Sequence, residues 1–286
     1  MRHSLTLGYI SNKYHISVPT LSKRFQHYLQ SPPDPKDYLQ TILKQDKHLL
    51  SGYLQVDGSY FGDRVLMIYW DSIGGLIFWS WSGEETAQRL KSDVDILLHY
   101  HYPLYGLVSD GKRAVLSLSQ RLSIPYQRCQ VHVQRMVMSL VTQRPKTQAG
   151  RELRELASFL HTVKLEREAV VWLLWYRRLW QRHYHFFTQK SGGYNLKLQR
   201  YQWWYTHKHL RRAYYHIRYA LPYLFTFLQP EISDMPKTNN ALEGFFSQLN
   251  NKVSIHRGLS QTNKESLISW YLYLRKFSKK PTLKLN

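Results

Sequence analysis

Three acidic residues stand at positions where a carboxylate costs free energy unless it is paired with a cation. Asp57 follows apolar residues in VDGSYF, and Asp110 ends another apolar run in VSDG. Glu243 lies early in ALEGFFSQLNNKV, where apolar residues recur at helical spacing. Carboxylates flanked by apolar sequence are stabilised by pairing or by a metal ion. The three residues therefore predict a site for Mg²⁺ or Mn²⁺, ions that prefer oxygen ligands.

The chemistry of such a site follows from its charge. Two carboxylates that face one another repel and raise each other's pKa, and a divalent cation removes that penalty. A pair of ions held in this way activates a water or a 3′-hydroxyl and stabilises the leaving oxygen in phosphodiester transfer. Each residue also has an ordinary explanation, because Asp57 and Asp110 precede glycines and suit turns, while Glu243 suits a solvated helix face. The three together, in this order, favour the metal site.

A sheet is expected to position the two aspartates. Apolar residues alternate in three consecutive segments, which predicts hairpin-linked strands, and the elements after them alternate between helix and strand. The predicted strands are Tyr53–Phe61, Arg64–Asp71, Leu76–Trp81, Tyr105–Ser109 and Tyr126–Val131, with helices predicted at Glu84–His99 and Lys112–Leu122. This order predicts an α/β fold with a mixed sheet and helices packed on it. The fourth strand commonly lies beside the first in such a sheet, so Asp57 and Asp110 are expected to face one another.

The stretch from 136 to 235 carries helix signals and no strand signal. Helices are predicted at Arg151–His161, Ala169–Phe187 and Tyr201–Tyr219, and Gly192-Gly193 interrupts the series. We therefore expect an all-helical domain of about 100 residues, inserted into the sheet domain between its last strand and the helix that carries Glu243.

Charge and composition point to a polyanionic partner. The chain has 40 Lys and Arg against 19 Asp and Glu, a formal net charge of +21. Between Glu168 and Glu231 there is no acidic residue, while ten Lys or Arg and eighteen aromatic residues fall in that span. Cations meet phosphates and aromatic rings stack on bases, so nucleic acid is the first expectation, ahead of an anionic membrane surface. The alternative is that most of the aromatic residues form a core. The sequence has no apolar run long enough to span a membrane.

The N-terminal segment reads as a helix-turn-helix remnant. A turn-like stretch precedes Pro19, which is tolerated in a first helical turn, and Ser17 or Val18 is the expected cap. The second helix would present Thr20, Lys23 and Arg24 to DNA. An ordinary helical pair remains the alternative. We assign residues 1–30 to this segment and 31–50 to a proline-containing linker with a short helix.

Four motifs resemble the DDE transposases of the Mutator-like group of bacterial insertion sequences, over roughly residues 53–275. They are VDGSYF, VSDGKRAV, CQVH and TNNALEGFFSQLNNKVSIHRGLS. The resemblance implies a ribonuclease-H-like core, formed by residues 51–135 and 236–275, with a helical insertion at 136–235 and a basic tail at 276–286. It also implies that Asp57, Asp110 and Glu243 are the catalytic, metal-binding triad, and that Cys129 and His132 are a C-x-x-H pair supporting the active site. A lone C-x-x-H is by itself a weak signal.

The resemblance implies an enzyme that cuts DNA at the ends of an insertion sequence and joins them to target DNA. Its expected partners are terminal inverted repeats, target DNA and a second copy of the chain, in the bacterial cytoplasm near the nucleoid. Further residues expected to contact DNA are Lys112, Arg113, Arg211, Arg212, Lys252, His256 and Arg257. Two alternatives stay open, an inactive remnant that only binds DNA and a metal-dependent nuclease of the same fold. N-terminal cysteines found in such transposases are absent here, so the segment is either naturally short or truncated.

Overall fold

A five-stranded mixed sheet forms the centre of the structure, a computed structural model that describes residues 7–232, 234–256 and 258–278. The sheet has the strand order β3-β2-β1-β4-β5. Its strands are β1 (Tyr53–Phe61), β2 (Arg64–Asp71), β3 (Gly75–Ser82), β4 (Gly106–Ser109) and β5 (Tyr126–Arg128). The bounds of β1 and β2 are those predicted from the alternation of apolar residues.

Strand directions divide the sheet into two parts. Strands β1, β2 and β3 are antiparallel neighbours joined by short turns, whereas β1 pairs with β4, and β4 with β5, in parallel. Parallel pairing requires a crossover, and helices supply it. The predicted α/β class, the mixed sheet and the adjacency of the first and fourth strands are confirmed.

Some helices pack on this sheet, and others form a second hydrophobic core. Within the described residues they are α1 (Leu7–Tyr14), α2 (Val18–Gln30), α3 (Pro35–Gln45), α4 (Ala87–His99), α5 (Arg113–Leu122), α6 (Gln130–Val141), α7 (Gln148–Phe159), α8 (Glu166–Thr188), α9 (Lys208–Ala220), α10 (Asn240–Val253) and α11 (Gln261–Ser278). None of these helices combines the length and the apolar character that crossing a membrane would require.

The main core lies between the sheet and helices α3, α4, α10 and α11. Tyr69 and Trp79 on the strands and Phe245 on α10 are among its fully buried side chains. Burying an aromatic side chain of this kind contributes about 1.5–3 kcal/mol to the free energy of unfolding. Helix α10 is thereby fixed against the sheet, and Glu243 in its first turn is fixed with it.

The N-terminal helices pack against the C-terminal one. Ser17 caps α2, with its hydroxyl accepting from the N–H of Thr20 at 3.3 Å, as the sequence predicts. At the other end of α2, the carbonyl of Tyr28 accepts a hydrogen bond of 2.7 Å from the indole N–H of Trp270 on α11. Thr20, Lys23 and Arg24 are exposed on α2. Helix α2 is therefore anchored to the sheet domain by one end, while its predicted DNA-facing residues reach solvent.

A second core is built by α6, α7, α8 and α9. It centres on aromatic side chains, among which Tyr176 and Tyr214 stack with ring centroids 4.5 Å apart and planes 7° from parallel. Trp172 belongs to the same core and donates its indole N–H to the carbonyl of Leu156 at 2.9 Å. Many aromatic residues of the region thus serve packing, the alternative that the composition left open.

The region 136–235 is not all helical, and that prediction is wrong. A hairpin of two strands, β6 (Lys190–Asn195) and β7 (Arg200–Tyr205), forms a sheet of its own. It replaces the first part of the helix predicted at Tyr201–Tyr219, and Gly192-Gly193 lies within β6. Aromatic residues favour strands, but neither face of this hairpin is buried, so the sequence shows no period-two alternation.

The strand predicted at Tyr126–Val131 is too long. Strand β5 ends at Arg128, and α6 begins at Gln130, with Cys129 at its N-cap position. The buried residues Val133, Val137 and Val141 recur every four positions, which is helical spacing. This correction moves Cys129 from a strand to the N-cap of α6 and places His132 in the first turn of that helix.

Candidate functional site

Neighbouring parallel strands bring the two predicted aspartates together. Asp57 lies within β1, and Asp110 follows β4 directly. The register that pairs Gln55 with Val108, continued for two residues, places Asp57 level with Asp110. The Asp57 carboxylate accepts from the N–H of Gly58 at 2.9 Å, and that of Asp110 accepts from the N–H of Lys112 at 3.2 Å.

One ammonium group links three carboxylates at this point. The Nζ atom of Lys112 lies 3.4 Å from Asp57, 3.7 Å from Asp110 and 2.6 Å from Glu85. Burial disfavours the charged ammonium, but Asp110, Glu85 and Asp57 outweigh it and raise the pKa of Lys112. Burial also raises the pKa of Asp57, with Asp110 adding to the effect and Lys112 opposing it. Three carboxylates are therefore gathered around the Lys112 ammonium.

Glu243 has different partners. Its Oε1 atom lies 3.3 Å from Nδ1 of His132, and its Oε2 atom accepts from the guanidinium of Arg135. His132 and Arg135 are three residues apart on α6, so they present their side chains on one face of that helix. The structure thus holds Glu243 between two cationic groups of α6 rather than against the aspartates.

Cys129 and His132 stand beside Glu243. Cys129 is fully buried, and its Sγ atom accepts from the N–H of Asn239, the residue before α10, at 3.5 Å. A hydrogen bond with Cys129 is the main cause that raises the pKa of His132 to about 9; burial opposes it, and the charges of Glu243 and Asp110 add to it. These neighbours favour the cationic form of His132.

Among the described residues, one group of three metal-ligating side chains has donor atoms all within 4.8 Å of one another. It consists of Cys129, His132 and Glu243. Asp57, Asp110 and Glu243 do not form such a group. Asp57 and Glu243 nevertheless line one pocket of about 490 Å³, together with His132 and Arg135. The predicted triad is thus distributed between two adjacent clusters that face a common pocket.

The donor set fits a hard divalent cation. Carboxylate oxygens from Asp57, Asp110 and Glu85 surround the Lys112 ammonium, so this part of the fold already stabilises positive charge. Oxygen donors of this kind suit Mg²⁺ or Mn²⁺. Glu243 supplies a further carboxylate on the wall of the pocket that Asp57 lines. Asp57, Asp110 and Glu243, with Glu85 beside them, are the residues that would hold such an ion.

Two residues of the site were missed from the sequence. Glu85 contacts Lys112, and Arg135 contacts Glu243. Glu85 carries no signal in the sequence, because it lies near the start of a predicted helix, where an acidic residue is common. Arg135 could have been found from its spacing of three from His132, had the helix been placed from Gln130 onwards.

The predicted DNA-contacting residues near the site differ in their surroundings. Lys112 is engaged by carboxylates, whereas Arg113 is exposed at the start of α5. Lys252 and His256 are exposed at the end of α10 and just beyond it, and the Nζ atom of Lys252 lies 5.2 Å from the ring centroid of Tyr271. Arg257 lies outside the described residues.

The predicted pair on α9 lies in the second core region. The guanidinium of Arg211 covers the ring of Tyr205 at 3.9 Å and that of Tyr215 at 4.5 Å. Arg212 is exposed beside it. Both face a pocket of about 280 Å³ on the surface of the helical region. These two arginines belong to a surface separate from the carboxylate site.

A scan of the sequence against models of known protein families finds no match, and a search of curated proteins finds none either. The function of this chain is therefore inferred from its own residues and their geometry.

Proposed function

We propose that the protein is a DNA transposase of the DDE type, which cuts DNA at the ends of a mobile element and joins the 3′-hydroxyl ends to target DNA with Mg²⁺ or Mn²⁺. One observation carries the proposal: Asp57 and Asp110, on adjacent parallel strands, converge on a single cationic group. Glu243 lies on a pocket that Asp57 also lines. Clustered carboxylates facing a phosphodiester are useful only with metal ions between them.

The topology supports the proposal. Three hairpin-linked strands beside two parallel ones are compatible with the ribonuclease-H-like core that the sequence resemblance implies. The second core region lies between β5 and α10, where the resemblance places the insertion. The fold thus separates Asp57 and Asp110 from Glu243 along the chain and returns all three to one side of the molecule.

The side chains of the site have different proposed roles in the reaction. A bound divalent ion would polarise the phosphate and lower the pKa of the attacking water or hydroxyl. Asp57, Asp110 and Glu243 would hold the ion. Lys112, released from the aspartates, and the cationic His132 are placed to neutralise phosphate oxygens next to the cut. Glu85 would keep the Lys112 ammonium at the edge of the site, since their contact is the shortest that Lys112 makes.

DNA recognition is assigned to surfaces outside the catalytic pocket. Thr20, Lys23 and Arg24 are exposed on α2, the second of two short helices joined by a tight turn, which suits a helix-turn-helix. The net charge of +21 provides the sequence-independent part of binding. Two element ends must be handled together, so the working form is a dimer or a higher oligomer on DNA, at the nucleoid of a bacterial cell.

Joining of pre-cut ends tests the proposal. Labelled duplexes taken from the DNA that flanks the coding sequence, with free 3′-hydroxyl ends, are incubated with a supercoiled target plasmid and Mg²⁺ or Mn²⁺. The proposal predicts labelled joined product, reduced at least about 100-fold in Asp57→Asn, Asp110→Asn and Glu243→Gln. Glu84→Gln is the matched control, because Glu84 is exposed and lies next to Glu85 without contacting Lys112.

A DNA-binding remnant without turnover is the second candidate. The observation that favours it is the ion pairing of Glu243 with Arg135 and His132, which keeps this carboxylate apart from the aspartates. It predicts tight DNA binding that does not change when divalent ions are added, with neither cut nor joined product. Cut product without joining would instead indicate a nuclease of the same fold.

A further inference from the structure

The β6–β7 hairpin has no packing role that accounts for its composition. It forms a two-stranded sheet separate from the main one, and none of its residues belongs to either large core cluster. A two-stranded ribbon is at best marginally stable when it buries nothing. Its aromatic residues are therefore displayed rather than packed, which calls for a functional explanation.

The strand register sorts these residues onto two unlike faces. Residues paired directly across an antiparallel ribbon point to the same side, and residues two apart along a strand share that side. Tyr194 pairs with Tyr201, Gly192 with Trp203, and Lys190 with Tyr205. One side, which we call the aromatic face, therefore carries Lys190, Gly192, Tyr194, Tyr201, Trp203 and Tyr205. The opposite side carries small and polar residues together with Arg200 and Trp204.

The aromatic face is open to solvent. Tyr194 is 59% exposed, Tyr201 72% and Trp203 60%. Gly192 leaves room for the rings, because a Cβ atom at that position would lie 2.8 Å from the ring of Tyr201. Large exposed aromatic surfaces of this kind mark a binding site.

Cations flank the rings on the same side of the molecule. The Nζ atom of Lys190 lies 4.1 Å from the ring centroid of Trp203, and the guanidinium of Arg211 lies 3.9 Å from that of Tyr205. Tyr205 and Arg211 also line the small pocket on α9, with Lys208 and Arg212. The sequence has no Asp or Glu from 169 to 230, so no acidic side chain of that stretch opposes an anion here.

We propose that the aromatic face is a stacking platform for unpaired bases of a nucleic-acid strand, whose phosphates run along Lys190 and the α9 cations. This inference rests on the proposed function for its choice of a nucleic-acid partner, and it names what the β6–β7 hairpin binds. Every base has a face that stacks on an aromatic ring, and phosphates meet the cations between the rings. A second copy of the chain would bring the same positive charge against it, which disfavours self-association through this face.

The test compares oligonucleotides that differ only in their bases. A fluorescent single strand of about 12 nucleotides, within the usual site size for such surfaces, is titrated by anisotropy beside the same strand with abasic sites at its centre. Both strands carry the same phosphate charge. The wild-type protein is expected to bind the intact strand roughly 10-fold or more tightly than the abasic one.

Three variants locate the effect on one face. Trp203→Ala should weaken binding of the intact strand roughly 5-fold or more and leave binding of the abasic strand unchanged, and Trp203→Phe should restore most of the loss. Trp204→Ala is the matched control, since Trp204 is the next residue, 49% exposed, on the opposite face. Far-ultraviolet circular dichroism and the melting temperature establish that each variant is folded.

Equal affinity of the wild type for intact and abasic strands would overturn the stacking platform. Equal losses of affinity for the intact strand in Trp203→Ala and Trp204→Ala would also overturn it. The same holds if Trp203→Ala impairs only the binding of anionic vesicles, or only dimer formation measured by sedimentation. The result is independent of catalysis. If the wild type joins DNA ends but binds intact and abasic strands equally, only the stacking platform is rejected. If it binds the intact strand more tightly but joins no ends, only the transposase proposal is rejected.

Discussion

The Nζ atom of Lys112 lies 3.4 Å from the Oδ1 atom of Asp57, so a divalent ion would compete with the lysine for this carboxylate. The same ammonium lies 3.7 Å from Asp110 and 2.6 Å from Glu85. Three carboxylates without a cation would repel one another, so Lys112 stabilises this part of the fold when no metal ion is bound. If Asp57 and Asp110 held an ion, Glu85 would remain as the partner of Lys112, since that contact is its shortest.

Removal of Lys112 should make folding depend on divalent ions. Without ions, Lys112→Ala should lose about 1–3 kcal/mol of unfolding free energy, because Asp57, Asp110 and Glu85 are left unpaired. Added Mg²⁺ should then raise its melting temperature more than that of the wild type, by mass action on the folded state. Differential scanning fluorimetry across Mg²⁺ concentrations measures both effects.

The control for this experiment is Lys91→Ala. Lys91 pairs with Asp95 at 3.6 Å on the exposed face of α4, so its loss should change stability little. An equal Mg²⁺ response in wild type and Lys112→Ala would show that no ion competes for the aspartates.

Asp71, at the end of β2, should be essential for stability. It is fully buried and accepts from the N–H groups of Gly52, Ile73 and Gly74 and from the hydroxyl of Tyr102 at 2.7 Å. Asp71→Ala leaves these donors unsatisfied and should lower the unfolding free energy by about 3–5 kcal/mol. Urea denaturation measures the loss.

Tyr102→Phe tests the hydrogen bond to Asp71 separately from the burial of the Tyr102 ring. It removes one donor to Asp71 and keeps the ring, so we expect a loss of about 1–2 kcal/mol. A loss in Asp71→Ala no larger than that would contradict the role given to the buried carboxylate.

The second core region should lose stability in acid through Glu152. Burial raises the pKa of this carboxyl, but hydrogen bonds from His183 and Trp175 and the charge of Arg182 outweigh it, so the pKa is lowered from 4.5. A carboxylate with a depressed folded pKa stabilises the fold above its unfolded pKa, and the gain is lost as the pH falls through the folded value. Wild type should therefore exceed Glu152→Gln in unfolding free energy at pH 7, and the gap should close below about pH 4.5.

Chemical denaturation at several pH values from neutral to acid measures that gap. Glu155→Gln serves as the control, because Glu155 is an exposed residue on the same helix. A gap between wild type and Glu152→Gln that stays constant down to the lowest pH would refute the assignment.

The part of the fold nearest the aspartates is the part that the sequence predicts best. Strand β1 carries apolar residues that face a core, whereas β2 carries an uninterrupted apolar run, residues 65–70, that is buried throughout; the predicted bounds of both strands match. The pairing of β1 with β4 follows from general rules of sheet topology. The grouping of Glu243 with His132 and Arg135 was not predictable, because it depends on where α6 begins and on how α10 packs against it.

The hairpin shows a second limit. Strand signals in a sequence arise from one buried face, and the β6–β7 ribbon buries neither. Its charge and aromatic content were visible, but the sorting of Tyr201 and Trp203 onto one face came only from the strand register. Exposed ribbons of this kind are therefore harder to find in a sequence than core strands.

DNA binding should weaken steeply with salt, with a share carried by α9. The slope of log K against log salt is about −0.9 for each phosphate neutralised on duplex DNA. Arg212→Ala, at an exposed position beside the α9 pocket, should reduce the magnitude of the slope by about one such unit. Anisotropy titrations at several salt concentrations measure it, with Lys91→Ala as the control whose charge is already paired. An unchanged slope in Arg212→Ala would remove α9 from the DNA-binding surface.

The central claim is that Asp57 and Asp110 hold the ion with which the protein cuts DNA. Iron(II) substituted for Mg²⁺, with ascorbate and peroxide, cleaves the polypeptide next to its own binding site, and the fragments map that site. If these aspartates hold the ion, cuts are expected near Asp57, Asp110 and Glu243, suppressed by excess Mg²⁺ and absent in Asp57→Asn. Cuts confined to the neighbourhood of Cys129 and His132, unchanged in Asp57→Asn, would contradict it.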